Sequence, residues 1–492
     1  MFAAMVDQTR GRKIHLIGIC GTGMGSLAGL LAEAGHEVRG SDESVFPPMS
    51  TMLRSKGIPI LEGYKAANLD TGGRPDFVVV GNIASRDNPE VQALLGWKIE
   101  YASMPQTIGK FFLEDRHSIV VTGTHGKTTT SALIARMLMS AGLDPSFLVG
   151  GVLKDLDTSF RLGAPGGLFI IEGDEYETSF FDKGPKFLHY RPKTAVLTSV
   201  EYDHAEMFPD LDAVKEAFAR FVELIPPAAS GGTLAVCADD PLALEISGKC
   251  RGEVVTYGLS PSARIRGEMI ETGPDGTRFR VQENGNDLGV FRLWLTGDHN
   301  LRNALSGIAV ARSLGVPLES IVTGLEAFAG VRRRQEIRGV VDNVVVVDDF
   351  AHHPTAVRET IGAIKARFRG RRVWAIFEPR TNTSRRDVFQ EEYARAFDGA
   401  DRIVIAPVDH PERAPEGRRF DVERLIDDMT GRGLTAETLP DVDRIVKLLA
   451  DELRPGDVVL VMSNGSFGRI HEKLLAALGA RVTSRAAGSQ PL

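Results

Sequence analysis

Cysteine and long apolar runs are scarce in this chain of 492 residues. The three cysteines, Cys20, Cys237 and Cys250, are odd in number and too widely spaced for a structural zinc site or a disulfide framework, which favours a reducing compartment. The chain has no run of about 18 apolar residues that would span a membrane, and residues 1–12 lack the apolar stretch of a signal peptide. We therefore expect a cytoplasmic protein without a membrane partner.

An excess of basic residues is also missing. The formal net charge of -7 gives no reason to expect nucleic acid as a partner. The composition, with 43% hydrophobic and 25% charged residues, is that of a globular protein, so small-molecule substrates are the expected partners of a monomer or homodimer. The length predicts about three domains. The patterns described below place them at 1–112, 113–329 and 330–492.

The most informative stretch is 117–142, where a strand pattern, a glycine loop and a helix pattern follow one another. Phosphate-binding loops have this order, because glycines let backbone N–H groups turn toward phosphate oxygens and the helix N-terminus adds partial positive charge. A lysine can neutralise a terminal phosphate, and the threonine after it can offer a hydroxyl to Mg²⁺. The predicted nucleotide triphosphate site consists of Gly123, Thr124, His125, Gly126, Lys127, Thr128 and Thr129. The helix is predicted from Ser131.

Val121 stands where the strict pattern G-x-x-x-x-G-K-[ST] has its first glycine. The alternative interpretation is a structural turn between a strand and a helix, with a lysine that is only solvated. Because the flanking strand and helix have the required order, we favour the nucleotide site.

A second glycine-rich loop lies at 18–25, between a strand predicted at 13–19 and a helix predicted at 27–34. The next strand ends at the acidic Asp42, as in a dinucleotide-binding βαβ unit. The glycine spacing is tighter than G-x-G-x-x-G, although a relaxed form fits from Gly23 onward. The loop therefore indicates a ligand that contains pyrophosphate, and an NAD-dependent dehydrogenase is one alternative.

Acidic residues end two strand patterns of the central region. Glu172 follows a strand predicted at 167–171, and Asp203 and His204 follow one predicted at 194–200. Carboxylates beside a phosphate loop are typical Mg²⁺ ligands, although an acidic turn that caps the next element would explain Glu172 equally well. Together with Glu172, the pair Asp203 and His204 predicts a metal and phosphate cluster.

Short alternating strands with turn signals fill 231–295, which we interpret as a small antiparallel appendage to the central domain. Asn300 and Asn303 open the following helix, where they could either bind a base edge or cap the helix. From about residue 330 strand and helix patterns alternate again, after a basic cluster that includes Arg334. The predicted fold class is α/β with three domains: a Rossmann-like N-terminal domain, a central domain with a parallel sheet like that of P-loop ATPases plus the appendage, and a Rossmann-like C-terminal domain.

Five motifs resemble those of the Mur ligases, in the right order and over nearly the whole chain. They are G-T-H-G-K-T-T at 123–129, E-x-D-E at 172–175, Asp203-His204, H-N-x-x-N at 299–303 and D-x-x-H-H-P at 349–354. The resemblance implies an ATP-dependent ligase that requires Mg²⁺, activates a carboxylate as an acyl phosphate and releases ADP and phosphate. It also implies that the first domain binds a UDP-sugar.

The resemblance assigns roles to individual residues. The residues expected at the UDP-sugar are Gly18, Cys20, Gly21, Thr22, Gly23, Met24, Gly25 and Asp42. Asn303, Arg334 and Asp349 are expected at ATP, in addition to the loop 123–129. Thr128, Glu172 and His204 are the expected metal ligands, Lys127, Glu172 and His204 the expected catalytic residues, and Arg380 and Asn382 the expected peptide-binding residues.

Two segments, 46–51 and 378–383, are most similar to one branch of the family. That branch joins UDP-N-acetylmuramate to the tripeptide L-alanyl-γ-D-glutamyl-meso-diaminopimelate in peptidoglycan recycling. The alternative is the biosynthetic branch, which adds L-alanine to UDP-N-acetylmuramate. Hypotheses of other classes are the dehydrogenase and an ATP-gated UDP-sugar sensor without turnover.

The sequence departs from the family pattern in two places. Phe218 stands where several members carry a carbamylated lysine, and Lys215 is one helical turn away, so carbamylation is not predicted. Ser384 and Arg385 stand where the recycling branch usually has methionine and lysine. Arginine keeps the charge but changes its geometry.

Overall fold

A computed structural model describes residues 11–47 and 49–488 of the chain. The predictions for residues 1–10, Pro48 and 489–492 lie outside this described part. The described residues form two compact units. The first contains the described residues up to Val200, Asp212–Ile265 and Ser306–Ala327, and the second contains Glu201–Leu211, Arg266–Leu305 and the described residues from Phe328. The described part contains no helix that is long and apolar enough to cross a bilayer.

The first unit begins with a five-stranded parallel sheet. Its elements are β1 (Lys13–Ile17), α1 (Thr22–Glu33), β2 (Glu37–Asp42), α2 (Met49–Ser55), β3 (Ile60–Glu62), β4 (Phe77–Val80), α3 (Pro89–Trp97), β5 (Glu100–Ser103) and α4 (Met104–Ile108). The strand order is β3-β2-β1-β4-β5, and each neighbouring pair is parallel, which confirms the predicted Rossmann-like sheet. The order reverses beside β1, and ligands bind at such a reversal in open parallel sheets.

The central sheet of the first unit carries the phosphate loop. Its elements are β6 (His117–Thr122), α5 (Lys127–Ser140), β7 (Ser146–Leu153), β8 (Thr158–Arg161), β9 (Leu168–Gly173), β10 (Glu177–Ser179), β11 (Asp182–Pro185), β12 (Thr194–Leu197), α6 (Leu211–Glu223), β13 (Thr233–Cys237), α7 (Pro241–Ser247) and β14 (Glu253–Gly258). The strand order is β14-β13-β12-β6-β9-β7-β8, with only the β7–β8 pair antiparallel among these, and β10 and β11 form a separate hairpin. Strands β6, β9 and β12 are continuous apolar runs because both faces of the sheet are buried.

The prediction of antiparallel strands throughout 231–295 was wrong for its first part. Strands β13 and β14 are parallel, and helix α7 makes the crossover between them that a parallel pair needs. The missed signal was Asp240 before Pro241, because the Asp240 side chain accepts a hydrogen bond from the Ala243 N–H and caps α7. The later strands are β15 (Ile265–Gly273), β16 (Gly276–Glu283) and β17 (Asn286–Leu293), of which β16 and β17 are antiparallel as predicted.

Two helices follow this segment. They are α8 (Asp298–Ser313) and α9 (Leu318–Glu326). Helix α9 packs against α5 within the first unit. Gly324 makes this close approach possible, because a Cβ atom there would lie 2.6 Å from the Met137 Cα.

The second unit contains a six-stranded sheet. Its elements are β18 (Glu336–Val341), β19 (Val344–Asp349), α10 (Pro354–Arg367), β20 (Val373–Phe377), α11 (Gln390–Ala396), β21 (Arg402–Ile405), α12 (Val422–Gly431), β22 (Ala436–Thr438), α13 (Val442–Glu452), β23 (Val458–Met462) and α14 (Ile470–Gly488). The order is β18-β19-β23-β20-β21-β22, and all pairs except β18–β19 are parallel. Apolar layers cover both faces, one with residues of α10 to α12 and the other with residues of α13 and α14. The predicted third α/β region is confirmed.

Several short helical turns complete the described part. The 3-10 turns are Ala66–Asp70, Lys186–His189, Ala228–Ser230, Asp387–Phe389, Pro411–Arg413 and Phe467–Arg469, and a π turn spans Gly109–Leu113.

Candidate functional site

The loop between β6 and α5 has the backbone of a phosphate-binding loop. Gly123 and Gly126 both have positive φ, +120° and +80°. The loop is tied to the end of β12, because the Thr124 N–H donates to the Ser199 carbonyl at 2.9 Å. A Cβ atom on Gly123 would lie 2.1 Å from the Thr198 hydroxyl, so only glycine fits. Helix α5 begins at Lys127, four residues before the predicted start at Ser131, directly after the left-handed Gly126.

Lys127 is held within this loop by a buried carboxylate. Its ammonium donates to the Gly123 carbonyl at 2.8 Å and to both oxygens of Glu175 at 3.1 and 2.9 Å. Burial alone would lower the pKa of Lys127, but the neighbouring carboxylates, Glu175 foremost, outweigh burial and raise it. Lys127 is therefore cationic at neutral pH and lies where a terminal phosphate would need a positive charge.

Thr128 and Glu172 lie side by side at the start of α5 and the end of β9. The Thr128 hydroxyl donates to the Glu172 carboxylate at 3.0 Å, and the Gly150 N–H donates to the other carboxylate oxygen. Burial raises the pKa of Glu172 to about 7, and the nearby Asp174 contributes to the same shift. A hydroxyl and a carboxylate are oxygen ligands of the kind that Mg²⁺ prefers, and a cation here would offset the repulsion that raises this pKa. The residues present fit Mg²⁺.

The remaining residues of the predicted loop differ in exposure. Thr124 and His125 are half-buried, whereas Thr129 is buried inside the first turn of α5. The His125 N–H donates to the Ser199 hydroxyl at 3.2 Å. Thr124 and His125 are thus placed at the rim of the loop, and Thr129 on its inner side.

The N-terminal glycine loop is organised by Asp42. One carboxylate oxygen accepts the Cys20 N–H at 2.8 Å, and the other accepts the Ser44 N–H at 2.9 Å. Gly18 has a φ of +84° and donates its N–H to the Ser41 carbonyl. Burial, with a contribution from Asp42, raises the pKa of the Cys20 thiol to about 11, so Cys20 stays neutral. Asp42 shapes the loop with both oxygens, which sequence analysis did not anticipate.

Four residues predicted in this loop are helical instead. Thr22, Gly23, Met24 and Gly25 form the first turn of α1, which was predicted to begin only at 27. Two of its glycines allow close packing: a Cβ atom on Gly23 would lie 2.8 Å from the Met104 methyl, and one on Gly25 would lie 2.6 Å from the Met49 methyl. The loop proper is therefore shorter than predicted and ends at Gly21.

The same helix docks on the central sheet through its next turns. A Cβ atom on Gly29 would lie 2.0 Å from the Phe160 ring, and the hydroxyls of Ser26 and Ser159 are hydrogen-bonded at 2.8 Å. The hairpin of β7 and β8, which carries Phe160 and Ser159, was missed by sequence analysis. The third glycine of α1 thus faces another sheet.

A cavity of about 480 Å³ lies next to the N-terminal loop. One wall follows β4, and the other is the hairpin of β10 and β11. The lining residues are Asn82, Ile83, Ala84, Ser85, Arg86, Glu177, Ser179, Phe180, Phe181 and Lys183. The Ile83 side chain is 71% exposed and approaches Gly18, where a Cβ atom would lie 3.0 Å from it. Exposed apolar side chains beside polar ones are typical of small-molecule sites.

In the second unit, Asp203 is buried and lies next to the half-buried His204. The Asp203 carboxylate accepts the His204 N–H at 2.7 Å and the Thr383 hydroxyl at 2.8 Å. Burial would raise the pKa of Asp203, but nearby imidazoles, His204 foremost, hold it well below its usual range. His204 has a φ of +54° and lies 3.6 Å from the Glu206 carboxylate. Its role as a metal ligand remains a prediction.

The other residues predicted at ATP also have local partners. Asp349 accepts the backbone N–H groups of Gln335 and Ala351, both at 2.8 Å, and so fixes the chain just before β18 and just after β19. The Arg334 guanidinium lies 4.8 Å from the centre of the Phe350 ring. The Asn303 side-chain amide donates to the side-chain oxygen Oδ1 of Asn300 at 3.3 Å, one turn earlier in α8.

The predicted peptide-binding residues follow β20. Arg380 lies 3.6 Å from the Asp409 carboxylate and 3.9 Å from that of Glu378. Burial raises the pKa of Glu378. Asn382 is exposed and accepts a hydrogen bond from Arg385 at 3.3 Å. Arg385 itself is buried, and its contacts were not predicted.

The structure has two loops of the type that binds nucleotides, both at the carboxyl ends of parallel strands. One of them also carries a lysine, a threonine and a carboxylate that could hold a metal ion. These features define an α/β enzyme that uses a nucleoside triphosphate. The chain belongs to the Mur ligase family. Residues 13–116 match the Mur ligase family catalytic domain, 121–311 the Mur ligase middle domain, and 332–465 the Mur ligase glutamate ligase domain.

Three similar proteins define its place further. An Escherichia coli K12 protein named UDP-N-acetylmuramate–L-alanyl-γ-D-glutamyl-meso-2,6-diaminoheptandioate ligase is 38% identical, over 95% of this chain and 98% of the relative. The crystal structure of a murein peptide ligase from Psychrobacter arcticus is 37% identical, with a TM-score of 0.71 over 95% of this chain and 99% of that one. A UDP-N-acetylmuramate-alanine ligase from Thermotoga maritima is 25% identical, with a TM-score of 0.78 over 96% and all of that chain.

Family membership makes the chain a ligase with the three-domain α/β fold predicted from sequence. The dehydrogenase and the sensor without turnover are set aside. The domain boundaries at 112 and 329, and the roles of the individual site residues, remain predictions.

Proposed function

We propose that the protein joins UDP-N-acetylmuramate to L-alanyl-γ-D-glutamyl-meso-diaminopimelate, with conversion of ATP to ADP and phosphate, in peptidoglycan recycling. The observation that carries the proposal is the buried group of Lys127, Thr128 and Glu172 at the phosphate loop, in a chain 38% identical to a relative named for this reaction. We place the enzyme in the cytoplasm, as a monomer or homodimer.

The chemistry begins with a poor electrophile. The carboxylate of the muramate lactyl group does not react with an amine, so one of its oxygens first attacks the γ-phosphorus of ATP, and ADP leaves. Lys127 would neutralise charge on the transferred phosphoryl group. Mg²⁺ held by Thr128 and Glu172 would supply further charge neutralisation at the phosphates, and His204 is proposed as an additional ligand.

The second step forms the amide bond. The neutral amine of the L-alanyl residue attacks the acyl carbon of the acyl phosphate, and phosphate leaves from the tetrahedral species as the amine proton is lost. Water would hydrolyse the acyl phosphate, so the acceptor must bind before the intermediate is lost.

The donor is assigned to the N-terminal site. The loop from Gly18 to Gly21, shaped by Asp42, and the first turn of α1 as far as Gly25 would bind the diphosphate. The cavity beside Ile83 has the size and mixed lining that a nucleoside or amino sugar needs. ATP is assigned to the loop 123–129, with Asn303, Arg334 and Asp349 as further contacts.

The acceptor is assigned to Arg380 and Asn382. The tripeptide carries several carboxylates, and an arginine can bind a carboxylate through two parallel hydrogen bonds. A guanidinium at the end of β20 next to an exposed amide would provide this recognition.

A second candidate is ligation of free L-alanine to UDP-N-acetylmuramate. It is favoured by one observation, the TM-score of 0.78 to the Thermotoga maritima enzyme, which exceeds the 0.71 to the murein peptide ligase. A TM-score measures backbone geometry, whereas the choice of acceptor is made by side chains, so the higher sequence identity decides in favour of the tripeptide.

The test is a competition assay. Purified protein receives ATP, Mg²⁺ and UDP-N-acetylmuramate with equal concentrations of L-alanine and the tripeptide, and both products are separated by mass. Predominant UDP-N-acetylmuramoyl-tripeptide supports the proposal. Predominant UDP-N-acetylmuramoyl-L-alanine would establish the second candidate, and phosphate release without either product would refute both.

A further inference from the structure

The loop after β20 is held in a single conformation by its own side chains. The Thr381 N–H donates to the Ser384 hydroxyl at 2.9 Å, and the Ser384 N–H donates back to the Thr381 hydroxyl at 3.0 Å. The Arg385 N–H closes the turn on the Thr381 carbonyl at 3.0 Å. This turn buries Arg385, which is only 5% exposed.

All three nitrogens of the Arg385 guanidinium have partners. Nε donates to the Asp409 carbonyl at 2.6 Å, and one terminal nitrogen donates to the Asp409 carboxylate at 3.1 Å. The other terminal nitrogen donates to the Asn382 side chain at 3.3 Å. A buried guanidinium with these contacts is not available to a substrate, and a lysine, with one nitrogen on a flexible stem, could not make all of them at once.

Arg385 reaches Arg380 through Asp409. The Asp409 carboxylate also lies 3.6 Å from the Arg380 Nε, and the Asp409 N–H donates to the Pro379 carbonyl at 3.1 Å. On its other side Arg380 lies against Gly465, where a Cβ atom would come within 2.5 Å of Nε. The Asp409 carboxylate is thus shared by two arginines and lies closer to Arg385, at 3.1 Å, than to Arg380, so Arg380 is held only loosely, at 3.6 Å from Asp409 and 3.9 Å from Glu378.

We infer that Arg385 is a positioning residue of the acceptor site: it holds Asn382 and, by occupying Asp409, keeps the charge and orientation of Arg380 available for a carboxylate of the acceptor. This inference rests on the proposed function, which places the acceptor at Arg380 and Asn382. Without Arg385, Asp409 would pair fully with Arg380, and the acceptor would have to displace it.

The test is the Arg385→Met variant with Arg372→Met as its matched control, because methionine keeps the length of the side chain and removes every donor. Arg372 makes similar contacts just before β20, with Nε and a terminal nitrogen on Asp457 at 3.1 and 2.6 Å and a further bond to the Glu452 carbonyl at 3.2 Å. For Arg385→Met the KM for the tripeptide should rise about tenfold, as expected for a misaligned binding group, with the KM for ATP and for UDP-N-acetylmuramate unchanged. Arg372→Met should lower the melting temperature without changing any KM.

Asp409→Asn provides a second variant, because it removes the carboxylate that would pair with Arg380 once Arg385 is gone. The double variant Arg385→Met/Asp409→Asn should therefore have a lower KM for the tripeptide than Arg385→Met alone. An Arg385→Met enzyme with the tripeptide KM of the Arg372→Met control, or with all three KM values raised equally, would overturn the inference. Failure of the wild-type protein to ligate the tripeptide would instead refute the proposed function, and the same comparison made with L-alanine would then decide the role of Arg385.

Discussion

Replacement of Glu175 by glutamine tests the description of the phosphate loop most directly. Glu175 is 3% exposed, and both of its carboxylate oxygens lie near 3 Å from the Lys127 ammonium, at 3.1 and 2.9 Å. At this separation the attraction is about 5 kcal/mol for an effective dielectric constant of about 20. Glutamine keeps one oxygen acceptor but not the charge, so Lys127 would be left as a buried cation with only carbonyl partners.

We expect Glu175→Gln to lower the free energy of unfolding by about 3 kcal/mol without nucleotide, the low end of what breaking a buried ion pair costs. The γ-phosphate of a non-hydrolysable ATP analogue would restore a negative partner to Lys127. The difference between variant and wild type should therefore shrink when the analogue is saturating. Urea unfolding followed by circular dichroism, with and without the analogue, measures both quantities.

Glu245→Gln is the control, because Glu245 pairs with Lys215 at 2.9 Å but its side chain is 60% exposed. It should change stability by less than about 1 kcal/mol, with or without nucleotide. A Glu175→Gln protein as stable as the wild type would show that the ion pair with Lys127 does not stabilise the fold. A stability difference that the analogue leaves unchanged would show that Lys127 does not exchange Glu175 for phosphate.

Three further predictions concern the same unit. Lys127→Ala should lower product formation by at least about 10³-fold while calorimetry shows unchanged binding of UDP-N-acetylmuramate; equal loss of both would contradict separate sites. Gly123→Ala should lower the free energy of unfolding in urea by more than about 2 kcal/mol, because its Cβ would lie 2.1 Å from the Thr198 hydroxyl. Gly142→Ala is the control, because a Cβ atom there would have no neighbouring atom within 4 Å, and it should cost only about 1 kcal/mol. Burial lowers the pKa of His117 from 6.5 to about 4, so the unfolded chain takes up a proton at a higher pH than the folded chain. The free energy of unfolding should therefore fall by at most about 2 kcal/mol between pH 7 and pH 5. His117→Gln should make this pH dependence flatter, and a variant with the slope of the wild type would contradict the prediction.

The parts of the site that sequence predicted are those encoded by contiguous residues. The order of strand, glycines, lysine and helix around 123–129 is a local signal, and the structure has the predicted elements there. The same holds for Glu172 at the end of β9, because an apolar run followed by an acid marks a strand's carboxyl end.

The parts that sequence analysis missed depend on contacts between distant segments. The partner of Lys127 is Glu175, which no local pattern distinguishes from Asp174. The hydrogen bonds of the Arg385 guanidinium need Asp409, which is 24 residues away in the chain. Helix α1 begins earlier than its glycines suggested, because packing overrides the low helix propensity of glycine. Side-chain roles that arise from tertiary contact can be found only in the folded chain.

The glycines of α1 have a consequence for how the chain folds. Each of Gly23, Gly25 and Gly29 costs a helix about 1 kcal/mol relative to alanine, and they occur within 12 residues. The helix is therefore unstable on its own. The side of the helix that contains Gly29 is buried only when Phe160 of the central sheet packs against it. A fragment that ends at residue 112 would have the five-stranded sheet but an α1 with frayed turns, and hence a poorly formed N-terminal loop. We therefore expect that the five-stranded sheet does not fold autonomously.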